Sequence, residues 1–100
     1  MKNTYVIGLS KTNLLQIEFG INWSNGQTSV KRITWGVQYI DEATMLPGKD
    51  IAMETLQEIK DNYDKILVFA PTVFEALVDG DDIDVNKLHI YRVELSGKVE

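Results

Sequence analysis

Apolar and polar residues alternate strictly through the first half of the chain. Leu15, Ile17, Phe19, Ile21 and Trp23 share one parity, with Gln16, Glu18, Gly20 and Asn22 between them. This period of two marks a strand with one buried and one wet face. After Ser24-Asn25-Gly26-Gln27-Thr28 the pattern resumes as Ile33, Trp35, Val37 and Tyr39, interleaved with Arg32, Thr34, Gly36 and Gln38. Two long strands joined by a tight turn follow. Parity also selects the turn. A two-residue type I′ loop on Asn25-Gly26 would set Ser24 against Gln27 and place Ile17 and Phe19 on the face opposite Ile33 and Trp35. A type I turn over Trp23 to Gly26, with Gly26 left-handed in a G1 bulge, sets Ile17 against Ile33 and Leu15 against Trp35, and is the expected form.

Upstream, Thr4 to Leu9 reads as a short apolar strand and Ser10 to Asn13 as its polar turn, which completes a three-stranded antiparallel meander. After Pro47-Gly48 the period lengthens. Ala52, Leu56, Ile59 and Tyr63 form the stripe of an amphipathic helix over Asp50 to Asn62, with Asp50 as its N-cap. Lys65 to Phe69 then carries four consecutive apolar residues, as in a strand covered on both faces. Thr72-Val73-Phe74-Glu75 is a capping box that opens a short helix near Val73 to Asp79, stopped at Gly80. Leu88 to Leu95 reads as a final strand, and a strand, a helix and a strand in that order imply a parallel crossover. The fold class is therefore α+β: a single domain over residues 1–100 with a mixed five-stranded sheet and two helices packed on it.

Composition narrows the chemistry. A chain of 100 residues that is 44% hydrophobic and 25% charged has the make-up of one ordinary folded domain. Without cysteine it has no disulfide, no thiolate nucleophile and no sulfur ligand for a metal. The apolar run Tyr5 to Leu9 is too short for a signal peptide, and no stretch reaches the length that crosses a bilayer, so a cytoplasmic location is expected. Charge is segregated. Between Asp41 and Asp84 twelve acids meet only three lysines, a formal −9, which leaves +4 for the remainder. An acidic side of this kind repels phosphate backbones and attracts cationic partners; as a bland alternative, it is a solvated surface.

The candidate sites are few. Asp82, Asp84 and Asn86 match the first ligand positions of a calcium loop, but Lys87 stands where glycine is needed and Val93 where a bidentate glutamate is needed. The aspartates read as a solvated connection, with a cation or a basic partner as the alternative occupant, and no metal or cofactor is assigned. His89 is the only histidine and has no ligand-like spacing around it. Neither a nucleophile elbow nor a phosphate-cradling glycine loop occurs, and no catalytic set is assigned. Tyr5, Phe19, Trp23, Trp35 and Tyr39 fall on apolar parity and are expected in the core, with Trp23 the exception if one exists. Lys31-Arg32 is too small a basic patch to hold nucleic acid.

Three strands, a helix with Glu54 early in it, then a strand, a short helix and a strand follow the element order of ribonuclease H-like proteins, which the stretch from Ala52 to Val78 resembles. That resemblance implies a site of clustered carboxylates holding two divalent ions. Only Glu54 matches it; the first strand, Tyr5-Val6-Ile7-Gly8, has no aspartate, and Phe69-Ala70-Pro71 has none where one is expected. The resemblance thus implies a version without catalysis. Two functions are carried forward. One is a small acidic interaction protein of the inhibitor, immunity-factor or phage-modulator type, which occludes a basic protein partner through Glu75, Asp79, Asp81, Asp82 and Asp84. The other is a degenerate nuclease-like, nucleic-acid-handling domain. Self-association through an exposed edge strand is a further alternative.

Overall fold

The alternating segments form the longest strands of the computed structural model, which describes residues 3–21, 23–69 and 83–94. Strands β1 (Thr4–Ser10), β2 (Asn13–Ile21) and β3 (Thr28–Val37) make the expected antiparallel meander. A two-residue strand β4 (Leu46–Pro47) leads into helix α1 (Lys49–Asp61), and β5 (Leu67–Phe69) returns parallel to β3. β6 (His89–Val93) lies antiparallel to β1. The architecture is α+β with a mixed sheet, as the periodicities require. Its parallel pair arises from the β3–α1–β5 connection. β5 and β6, by contrast, run in opposite directions, so the parallel crossover expected between residues 65 and 95 does not occur. The short helix expected over 73–79, with its capping box, lies outside the described residues.

Register explains which side chains reach the core. Ile17 sits opposite Ile33, as parity demands, and Gly26 is left-handed with φ of 71°. The pairing nearer the turn slips by one residue, so that Phe19 faces Val30 and Ile21 faces Thr28. Lys31 is thus an extra residue on β3. A second shift sets Trp35 and Gly36 together across from Leu15, with Gly36 at φ of 82° and its N–H donating to Asn13 Oδ1 at 2.6 Å. Two bulges in ten residues bend the hairpin, which a constant register would leave straighter.

Ile7, Leu15, Ile17, Val30 and Ile33 meet Ala52 and Ile59 of α1 in the main core. On the opposite face Val6, Leu14 and Val37 pack beneath Ala43, with Ile40, Tyr91 and Val93 at the margin. β1 is buried on both faces, since Val6 and Ile7 are both inaccessible. β5, expected to be the doubly covered strand, is instead last in the pairing order, with Leu67 62% exposed. An apolar run does not by itself distinguish a central strand from an outer one.

α1 begins one residue before the expected start. Gly48 occupies the N-cap without a side-chain hydrogen bond, so Asp50 is not the cap; it lies in the first turn, where an anion is favoured by the helix dipole. The buried stripe is Ala52, Thr55 and Ile59, and Thr55 satisfies its hydroxyl on the Ile51 carbonyl at 2.7 Å. Leu56 and Tyr63 pack at the core margin, and the Tyr63 hydroxyl accepts from the Ile83 N–H at 2.9 Å. None of the described helices is long and apolar enough to cross a membrane.

β1 and β2 part company early. They are paired only at Gly8 with Leu14 and Ser10 with Asn13. Because Tyr5 pairs with both Leu46 and Arg92, and Gly8 with both Leu14 and His89, β4 and β2 share one edge of β1 while β6 takes the other. The segment from Thr44 to Pro47 fills the fork. Thr44 N–H donates to the Leu15 carbonyl at 3.1 Å, its Oγ1 accepts from the Ile17 N–H at 2.6 Å, and the same hydroxyl donates to the Ile17 carbonyl at 3.2 Å. Two residues later, Leu46 and Pro47 pair with Tyr5 and Thr4.

Gly8 sits where the two strands are still close. A Cβ there would lie 2.7 Å from the Asn13 carbonyl oxygen and 2.9 Å from the Ser10 carbonyl oxygen, both backbone atoms that cannot swing aside. Gly8→Ala is therefore expected to destabilise by about 1–3 kcal/mol, the usual range for overpacking. At Gly20→Ala the nearest atoms belong to the Lys31 side chain, which is exposed and can rotate, and stability should change by less than about 0.5 kcal/mol. Equal thermal midpoints for the two variants would show that β1 and β2 do not approach as described.

Candidate functional site

Two exposed regions have the composition of a site. The first lies on the sheet face turned away from α1. Cross-strand pairing places Gln16 with Thr34, Glu18 with Arg32, Arg32 with Leu67 and Thr34 with Phe69, so all six share that face. Arg32 forms a salt bridge with Glu18 and stacks over the Phe69 ring at 5.5 Å from its centroid. Both ionic partners are about half exposed, so the pair contributes little to stability; it fixes the guanidinium in place. Glu42 and Thr44 complete the lining of a shallow cavity of about 340 Å³ above this pair.

The second region lies between α1 and the far end of the β2–β3 hairpin. Apolar side chains become exposed toward the tip of the hairpin: Phe19 is 43% exposed, Ile21 56% and Trp23 93%. Ile51 of α1, at 44%, faces the same cleft. Phe19, Thr28, Ile51, Glu54, Thr55 and Glu58 line a cavity of about 350 Å³. Positions 51, 54, 55 and 58 follow the i, i+3, i+4, i+7 spacing that aligns side chains along one side of a helix. Glu58 is held in place: its Oε2 accepts from the Val30 N–H at 3.1 Å, at the bulge where that backbone donor has left the ladder. Two carboxylates and no cation line this cleft.

Most of the acids expected to bind a partner, Glu75, Asp79, Asp81 and Asp82, lie outside the described residues. Asp84 is exposed and caps the 3-10 turn Val85–Lys87, where its Oδ1 accepts from the Asn86 N–H at 3.0 Å. That bond turns the carboxylate toward its own backbone. No cluster of three or more potential metal ligands occurs among the described residues. The acids between Asp41 and Asp64 form no salt bridge among the described residues. They do not share one side, however: Glu54 and Glu58 flank the cleft beside α1, whereas Glu42 stands over the opposite face with Glu18. His89 is an exposed strand residue whose ring meets Tyr91 edge-on at 6.3 Å.

Of the five aromatics expected in the core, Tyr5 and Trp35 pack against it, while Phe19, Trp23 and Tyr39 are exposed. Phe19 and Trp23 lie toward the hairpin tip beyond Ile17, the last buried residue of β2. Comparison with protein-family models, with curated proteins and with solved structures gives no match.

Proposed function

We propose that the protein is a small non-enzymatic interaction module that occludes a basic protein partner, in the manner of an inhibitor, immunity factor or phage-encoded modulator. The observation that carries this reading is the acidic middle of the chain, whose described members between Asp41 and Asp64 stand without salt-bridge partners while apolar side chains are exposed beside two of them. Unpaired acids steer a cationic surface toward the molecule, and the apolar groups supply the contact once it arrives. Glu75, Asp79, Asp81, Asp82 and Asp84 belong to the same acidic stretch and are assigned to the contact with it.

The experiment is affinity capture from a host lysate at low and high salt, with the wild type and with a variant in which Asp79, Asp81, Asp82 and Asp84 are replaced by asparagine. Salt-sensitive recovery of a basic protein that the variant recovers poorly is expected. Equal recovery by the two proteins removes these aspartates from the contact. A second reading, a degenerate ribonuclease H-like nucleic-acid-handling domain, draws support from the element order and from Glu54 on α1. A divalent ion held by such a site would raise the thermal midpoint, since a ligand of the native state stabilises it. Magnesium or manganese is expected to leave the midpoint unchanged and to elicit no nuclease activity; a clear rise or cleavage of nucleic acid would favour the second reading.

A further inference from the structure

We infer that the cleft between α1 and the β2–β3 hairpin is the seat of a basic amphipathic segment of a partner protein. This inference rests on the interaction reading above and places the contact on elements other than residues 75–84. Three features converge there. Phe19 of β2 and Ile51 of α1 present apolar surface to water inside the cleft, and Ile21 and Trp23 are exposed farther along the same hairpin. Exposed apolar side chains gathered at a cleft mark contact sites, and tryptophan is among the residues that anchor them. Glu54 and Glu58 line the same cleft with no cation among the lining residues. Glu58 is already oriented by the Val30 N–H, and its Oε1 has no hydrogen bond among the described residues, so an incoming ammonium or guanidinium meets a carboxylate that loses little freedom on binding.

The charge decides the class of occupant. A nucleic acid strand could stack on Trp23 and Phe19, but its phosphates would run beside Glu54 and Glu58. A wholly apolar segment would take both carboxylates out of water with no cation to compensate them. A segment with leucine-like residues on one side and lysine or arginine on the flanks satisfies both the apolar floor and the acidic rim. The helical spacing of Ile51, Glu54, Thr55 and Glu58 offers such a segment a matching line of contacts.

The test is an amide chemical-shift titration of the full, isotope-labelled chain with three probes: a lysine–leucine amphipathic peptide of about 12 residues, an oligolysine of the same charge, and a single-stranded oligonucleotide. The amphipathic peptide is expected to move the resonances of Phe19, Thr28, Ile51, Glu54, Thr55 and Glu58, and to bind at least about tenfold more tightly than oligolysine. Ile51→Lys and Glu54→Lys, both at exposed helix positions, should each weaken it by about tenfold or more while leaving the thermal midpoint near that of the wild type. Equal binding of oligolysine would show adherence to charge alone and overturn the inference. Shifts confined to residues 75–84 would overturn it while leaving the interaction reading intact. Oligonucleotide binding at the cleft would transfer the site to nucleic acid. Failure of every probe to move cleft resonances would remove the cleft, whatever lysate capture recovers.

Discussion

Thr44→Val is expected to destabilise the protein by about 2–4 kcal/mol although the side chain keeps its shape. The threonine hydroxyl accepts from the Ile17 N–H and donates to the Ile17 carbonyl, and Ile17 is buried. Valine removes both bonds at once and puts methyl groups against two backbone polar atoms that no neighbouring strand reaches. Each stranded buried group costs about 1–3 kcal/mol, because its hydration has been lost without replacement. For a domain of this size each kcal/mol lowers the thermal midpoint by about 4–8 °C, so a fall on the order of 10 °C or more should be seen. Thr44→Ser keeps the hydroxyl and should lose far less. If the valine and serine variants melt together, the hydroxyl does not bridge to β2 and Thr44 does not hold the fork.

The second large effect is expected at Ile59. Its side chain is inaccessible and stands in the main core with Ile7, Ile33 and Ala52. Ile59→Ala removes buried carbon and leaves a cavity that strands on one side and a helix on the other cannot both close, a loss of about 2–5 kcal/mol. Against a total stability on the order of 5–15 kcal/mol this is a severe change. Ile51→Ala, eight residues earlier on the same helix but nearly half exposed, should cost well under about 1 kcal/mol. Chemical denaturation of the pair measures the difference directly. Similar midpoints would mean that α1 does not dock through the Ala52, Thr55 and Ile59 stripe.

Those residues also show how much of the fold was legible in the sequence. The period-two and period-four stripes located β2, β3 and α1 closely, and parity alone set Ile17 against Ile33. These features are repeated many times along the chain, so each residue reinforces the next. The bulges at Lys31 and at Trp35–Gly36 carry no such repetition. A single extra residue changes the register of all that follows, and nothing local distinguishes Lys31 from its neighbours. The position of β5 was missed because Leu67, Val68 and Phe69 are as apolar on an outer strand as in the middle of a sheet. Asp50 stands two positions inside the helix, not at its cap, because Gly48 two residues earlier takes the N-cap through its backbone freedom.

The cleft was legible only in part. The exposed end of the hairpin is written in an alternation that outruns its cover, and Trp23 stood out as the exception among the aromatics. Glu58 could not be found this way. Its role depends on a backbone N–H released by a bulge 28 residues away in the chain, and no spacing rule connects the two.

The fork between β1 and β2 has a consequence for the order in which the molecule assembles. β2 and β3 are consecutive, so their hairpin needs only a short loop to close. β1 precedes both, yet along most of its length it is held by Leu46, Pro47 and β6, none of which exists until much later in synthesis. A chain ending before Thr44 therefore has both strands of the hairpin but lacks the segments that secure most of β1. In refolding, amides of the hairpin should gain protection from exchange ahead of Tyr5 and Val6, whereas simultaneous protection would mean that β1 joins the nucleus at the start. The strand that becomes the most deeply enclosed in the finished protein is, on this arrangement, one of the last to be secured.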